Sequence, residues 1–360
     1  MDSEYLIIDP RPLECFKEKT FSGFKKKDII KELLKTIENK QVESACFWIT
    51  ECIISGYTQE IFEKIINLSS KIVHINNPNL PSFLLNRLNC FLNSISGIDK
   101  NQLIHIRNTL SVRNCLFDVV VTIALSEKTK QFSKHPKLKD DDFYFNTIKK
   151  KLNATMQILP SHIIKFTDPE ELRIIMNEFF FNLKNKLGGY ENACYWISWL
   201  LEWEKINKKK KLKFEIEDRN IKGVNQKYSK DLIWLVWSVI FEEGNLRDNN
   251  TKREIQSLFI LFKNNYTNGK RKSRIPIIYH AIGYLTLPIK FNRPARSNLD
   301  LYIQTQCNIN RMFQNCKKYE IKEYNEEKPI QGKTNAVKNE ITSSNLDRIK
   351  EIDEILFNSS

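Results

Sequence analysis

The residues of this sequence best placed to do chemistry are cations. Lys208, Lys209, Lys210, Lys211 and Lys213 form one cluster, and Lys270, Arg271, Lys272 and Arg274 form a second; Lys149, Lys150, Lys151, Arg293 and Arg296 lie elsewhere. From Ile206 to Arg274, 17 Lys and Arg stand against 8 acids, which leaves +9 of the chain's +14 in one region. A phosphodiester chain holds closely spaced charges whose counterions are released when cations dock, so such clusters suit nucleic-acid affinity without base readout. The competing reading is solubility. Ile (45), Lys (43) and Asn (36) dominate the 360 residues, an AT-rich codon bias that deposits lysine on any solvated loop. An acidic protein or a membrane surface would meet the same charge.

Other chemistries are poorly served. No G-x-x-x-x-G-K-[ST] occurs: Gly269 and Lys270 are followed by Arg271, and Asn264 stands where the first glycine should be, which excludes an intrinsic P-loop ATPase. Cys46 and Cys52 are the closest cysteines, with five residues between them, and no His pair has zinc-ligand spacing. His74, His105, His162 and His280 fall in or beside helical segments and His135 in a basic stretch, so each reads as packed or surface rather than as a general base. Glu170 with Glu171 are helix-start charges, Glu242 with Glu243 precede a turn, and Asp140 to Asp142 sit in a linker. Trp196, Trp199 and Trp203, with Trp234 and Trp237, recur at helical steps and suit one shared buried seam. No catalytic residue, cofactor or metal follows, and the chain reads as a non-enzyme.

The elements that carry these residues read as helices throughout. Ile29, Ile30, Leu33, Leu34 and Ile37 share one face of a first helix from Asp28 to about Lys40. A second runs from Gln41 to Ser55 before Gly56, Thr58 caps a third, and Phe83 to Ile95 form a fourth closed by Gly97. Two more follow at 100–110 and 113–126. Asp168 as cap, Pro169 in the first turn and Glu170 and Glu171 start a helix that ends at Gly188 and Gly189. Further helices are expected at 190–206, 229–243, 252–265, 275–287 and 298–318. The fold class is therefore all-α: an arm (1–25), a first helical lobe (26–126), a charged linker (127–141), a second lobe (142–318) and a polar tail (319–360) with a candidate last helix at 345–357. The eight cysteines read as reduced, buried thiols, which places the chain in a reducing cytoplasmic or nuclear interior. No run approaches a membrane span, and MDSEYLIIDPRPLE lacks a basic signal-peptide start, so the mature chain is expected to begin here, unsecreted.

The two halves echo each other at a separation of 148 residues. Glu43, Ser44, Ala45, Cys46, Phe47, Trp48 and Ile49 match Glu191, Asn192, Ala193, Cys194, Tyr195, Trp196 and Ile197. Small Ala and Cys allow close helix approach beside an aromatic pair; chance, shared structural need and duplication of a helical unit all account for it. Asp28 to Pro81 resemble the helical collar of clamp-loader-related AAA+ ATPases, in particular the C-terminal part of the RarA/MgsA type. The matching stretch is VESACFWITECIISGY, Val42 to Tyr57, continuing into Ile61, Phe62, Ile65 and Ile66. That resemblance implies a helical oligomerisation module near replication machinery. The Ile/Lys/Asn bias and the paired ACFW and ACYW helices are similar to helical proteins of nucleocytoplasmic large DNA viruses, which supplies a viral setting. The expected function is a non-enzymatic adaptor in viral-type DNA replication or genome handling. Its nine clustered cations, Lys208 to Lys211, Lys213, Lys270, Arg271, Lys272 and Arg274, would meet the nucleic-acid backbone. The alternative is a structural or assembly scaffold that binds other proteins or itself. A third is an enzyme whose site residues are dispersed.

Overall fold

The computed structural model describes residues 5–129, 138–212, 215–296 and 298–324. Lys213, His135 and the stretch 345–357 lie outside these. The all-α class holds: thirteen α-helices and no strand occur among the described residues, with one isolated bridge between Lys19 and Lys25. In order they are α1 (Lys26–Glu38), α2 (Val42–Ile54), α3 (Thr58–Ile72), α4 (Leu80–Ser94), α5 (Leu110–Leu125), α6 (Phe145–Lys151) and α7 (Glu171–Lys184). There follow α8 (Gly189–Lys209), α9 (Ile233–Gly244), α10 (Asn249–Lys263), α11 (Asn268–Thr286), α12 (Leu299–Cys307) and α13 (Ile309–Cys316).

The chain groups into two compact units that interleave in sequence. One takes Met1–Ile65, Asn86–Ser126 and Arg296–Ser360; the other takes Ile66–Leu85 and Glu127–Ala295. The first unit is built on α2 and α5, which pack on each other and on α1. Both central helices are apolar around most of their circumference, which is why they sit inside: Ala45, Cys46, Trp48, Ile49, Cys52 and Ile53 of α2 and Leu116 to Val121 of α5, Asp118 included, are buried. Asp118 is neutralised there by Arg87 at 3.3 Å and by Arg296. The helices α12 and α13 close the same core against α5 and α2. Arg113 lies 3.6 Å over the Phe313 ring and donates to the Tyr5 carbonyl at 3.0 Å. With no carboxylate bonded to it, burial pushes its guanidinium down to about 10.

The second unit is a bundle of α7, α8, α9, α10 and α11. Its apolar centre is α9, whose sequence IWLVWSVIF has no polar face. Trp234 and Trp237 stack on Phe259, Phe262 and Tyr266, whereas Trp196, Trp199 and Trp203 stack along α8. The five tryptophans thus serve two aromatic clusters instead of one seam, because α9 turns its rings toward α10.

The echo segments occupy equivalent local positions. Each lies on the second helix of an antiparallel hairpin, α1–α2 or α7–α8, and Ala45, Cys46, Trp48 and Ile49, like Ala193, Cys194, Trp196 and Ile197, are buried. Phe47 meets Trp48 edge-on at 4.8 Å and Tyr195 meets Trp196 edge-on at 5.1 Å. Thr50 and Ser198 return hydrogen bonds to the Cys46 and Cys194 carbonyls at 2.9 and 3.1 Å, extending the match by one position.

Several expectations are corrected. Asp168 does not cap: its buried carboxylate pairs with Arg219 and accepts the Lys165 and Glu217 N–H groups, so α7 starts only at Glu171. Lys100–Asn108 is a 3-10 helix, not an α-helix, and 298–318 breaks into α12 and α13. Thr58 opens α3 as its first helical residue. Pro276 lies inside α11, where it has no N–H to return to the Lys272 carbonyl. Cys90 and Cys307 are exposed and Cys15 is half-buried; the other five thiols are buried, and all eight are free.

Candidate functional site

Helix periodicity builds a groove on the second unit. Ser198, Leu201, Glu202, Lys205, Lys208 and Lys209 recur at three- and four-residue steps along one stripe of α8. Asn268, Arg271, Lys272 and Ile275 do the same on α11, which packs beside it. Ser198 Oγ and Tyr279 Oη, 2.9 Å apart, fasten the two helices below the groove. Leu138 completes the lining of a cavity of about 1100 Å³. Leu138, Leu201 and Ile275 give it apolar walls, while five cations face two carboxylates.

This groove joins parts of both sequence clusters, namely Lys208 and Lys209 with Arg271 and Lys272. Lys210 and Lys211 are exposed just past the end of α8, where Lys211 turns left-handed at φ 57° and its N–H returns to the Lys208 carbonyl at 3.1 Å. Cations at this end also meet the negative pole of the helix, a purely structural benefit. Lys270 is half-exposed and outside the lining. Arg274 is buried, its guanidinium donating to the Phe262 carbonyl, since three residues beyond Arg271 the helix turns inward. Of the other cations, Lys151 is held by Asp142 and Tyr195, each at 2.8 Å.

Arg271 is a floor residue. It bridges the buried carboxylates of Glu204 and of Asp231, the latter at 2.6 Å, and Asp231 also accepts the Tyr266 hydroxyl at 2.9 Å. Burial works against the charge on Arg271, but Glu204 and Asp231 outweigh it and hold the guanidinium protonated. Burial would likewise raise the Glu204 carboxyl; Arg271 and then Lys208, 2.8 Å away, hold it below its ordinary range. Lys205 pairs with Glu202 at 2.8 Å. Lys209, Lys210, Lys211 and Lys272 make no ion pair among the described residues. Sequence reasoning missed Glu204, although it stands four residues before Lys208, a helical pairing distance. Nothing local marked Asp231.

The same unit holds a histidine pair. His74, in a 3-10 turn at φ 52°, stacks on His280 of α11 with ring centroids 4.7 Å apart, and a Cβ at Gly283 would land on His74 Cε1. His74 Nε2 lies 3.1 Å from the Tyr279 carbonyl; that oxygen can only accept, so the proton sits on Nε2. Burial pushes His74 down to about 4, against this hydrogen bond, and pushes His280 well below its ordinary value, helped by His74. The side chains bonded to the pair, Tyr190 and Ser70, are neutral. The unfolded chain, with histidines near 6.5, takes up protons that the native state refuses. Native stability is therefore full above that value and is lost as pH falls toward 4. The urea midpoint should drop between about pH 7 and pH 5 more steeply for the parent than for His280→Phe; equal drops would show that the pair does not titrate.

The fold and groove define an all-α protein with an open cationic cleft between two helices. No three His, Cys, Asp or Glu side chains converge as a metal site among the described residues, and no single helix there is long and apolar enough to cross a membrane. No family model, curated protein or solved structure matches the chain.

Proposed function

We propose that this protein is a non-enzymatic helical adaptor in viral-type DNA replication or genome handling. In this reading the groove between α8 and α11 meets the nucleic-acid backbone without base specificity. The observation that carries the reading is convergence: Lys208 and Lys209, far from Lys272 in sequence, line the same cleft. The unpaired Lys209, Lys210, Lys211 and Lys272 are the contacts expected to exchange counterions for phosphates. Affinity for a mixed-sequence duplex should fall steeply between about 50 and about 200 mM salt, and replacing these four lysines with Gln should flatten the log–log slope by about three. Absence of binding at the low-salt end, or an unchanged slope in the fourfold variant, would refute it.

The apolar walls formed by Leu138, Leu201 and Ile275 favour one second reading, a scaffold whose groove seats an acidic amphipathic segment of another protein. That reading predicts a partner complex weakened by Leu201→Asp and little changed by salt.

A further inference from the structure

The first unit carries a separate cationic concavity. Residues 17–27 fold back on themselves: Lys19 bridges to Lys25, Gly23 makes the turn at φ 87°, and the Lys26 N–H donates to the Glu18 carbonyl at 2.8 Å. This return brings Lys17, Lys19 and Lys25 beside Lys26 and Lys27 in the first turn of α1, and Lys64 of α3 completes the wall. The concavity measures about 910 Å³ and sets six lysines against three carboxylates. Glu60 is already engaged by Lys26 at 2.7 Å and Lys64 at 3.6 Å. Lys17, Lys19 and Lys27 are exposed and make no ion pair among the described residues.

Ammonium groups gathered in a concavity repel one another, and a multivalent anion relieves that repulsion at several of them together. The size of the space matches a small-ligand site better than an extended polymer track. An adjoining cavity of about 290 Å³ shares Lys17, Lys26 and Glu60 with it and is walled by Leu13, Phe16, Tyr57, Leu103 and Ile106. A cationic chamber opening beside an apolar one suits a ligand with a charged tail and a flat organic body. We propose that this double cavity binds a nucleoside polyphosphate, its phosphates among Lys17, Lys19 and Lys27 and its base in the apolar chamber. Only binding is assigned. The site shares no lysine with the α8–α11 groove, so either can fail alone.

The test uses the intact protein, with ATP and inorganic tripolyphosphate as probes in calorimetry at low salt. ATP should bind more tightly than tripolyphosphate. The Lys17→Gln/Lys19→Gln/Lys27→Gln variant should weaken ATP by at least about tenfold, the loss of one charge-assisted contact, while Lys209→Gln/Lys272→Gln leaves it unchanged. In the parent, ATP should also protect Lys17, Lys19 and Lys27 from acetylation, a readout independent of any variant's folding. Failure of ATP to bind, undiminished binding by the triple variant, or absence of protection overturns the site. Tripolyphosphate binding as tight as ATP overturns the nucleoside assignment.

Discussion

Replacing Arg271 with Leu is expected to destabilise the protein by about 3–5 kcal/mol, because it strands two buried carboxylates. Glu204 and Asp231 have side chains only 7% and 2% exposed, and Arg271 is the guanidinium shared between them. Removing one member of such a set leaves charge that water cannot reach; replacing all three with well-packed apolar groups would be far less harmful. The neighbouring Lys272→Gln should change the urea midpoint by no more than about 0.5 kcal/mol, since its side chain is exposed and unpaired. A near-neutral Arg271→Leu would mean that the triad does not hold the floor. The contrast also guides binding assays: loss of ligand in an Arg271 variant would report unfolding, so the exposed lysines are the proper probes of the groove.

Trp237→Ala should cost about 3–5 kcal/mol, by emptying the aromatic centre of the second unit. The ring is fully buried, with centroids 5.2 Å from Phe259, 5.5 Å from Phe262 and 6.0 Å from Phe241. Its indole N–H finds no hydrogen-bond partner among the described residues. Trp237→Phe should therefore recover most of the loss, since it keeps an aromatic ring and removes a donor that is costly to bury. Chemical denaturation of both variants settles the order; a Phe variant as unstable as the Ala variant would indicate that the indole nitrogen matters.

The helices were legible because apolar residues recur at three and four positions, as at Ile29, Leu33 and Ile37, all buried in α1. Their starts were less legible. Asp168 followed by Pro169 has the look of a cap, yet a partner fifty residues away, Arg219, takes that carboxylate, and local pattern carries no trace of such a competitor. The groove was half legible. Counting charge found Lys208, Lys209 and Lys272, but it treats every cation alike, whereas one helical turn separates Arg271 at the floor from Arg274 inside the bundle. The lysine chamber of the first unit escaped altogether. Residues 1–25 show no periodicity, and the reversal that sets Lys19 opposite Lys25 rests on backbone pairing and a left-handed Gly23 rather than on composition.

The interleaved units bear on how the chain is made. On the ribosome, residues 127–295 emerge before the last portion of the first unit. That portion carries α13, which covers α2, and Phe313, over which the Arg113 guanidinium sits. It also carries the Tyr319 carbonyl, which accepts from Arg11 at 3.0 Å, and Glu320, which accepts the Ile8 N–H at 2.8 Å. A nascent chain halted near Ala295 would therefore hold a complete second unit and a first unit with one flank bare, a species prone to chaperone capture until synthesis finishes.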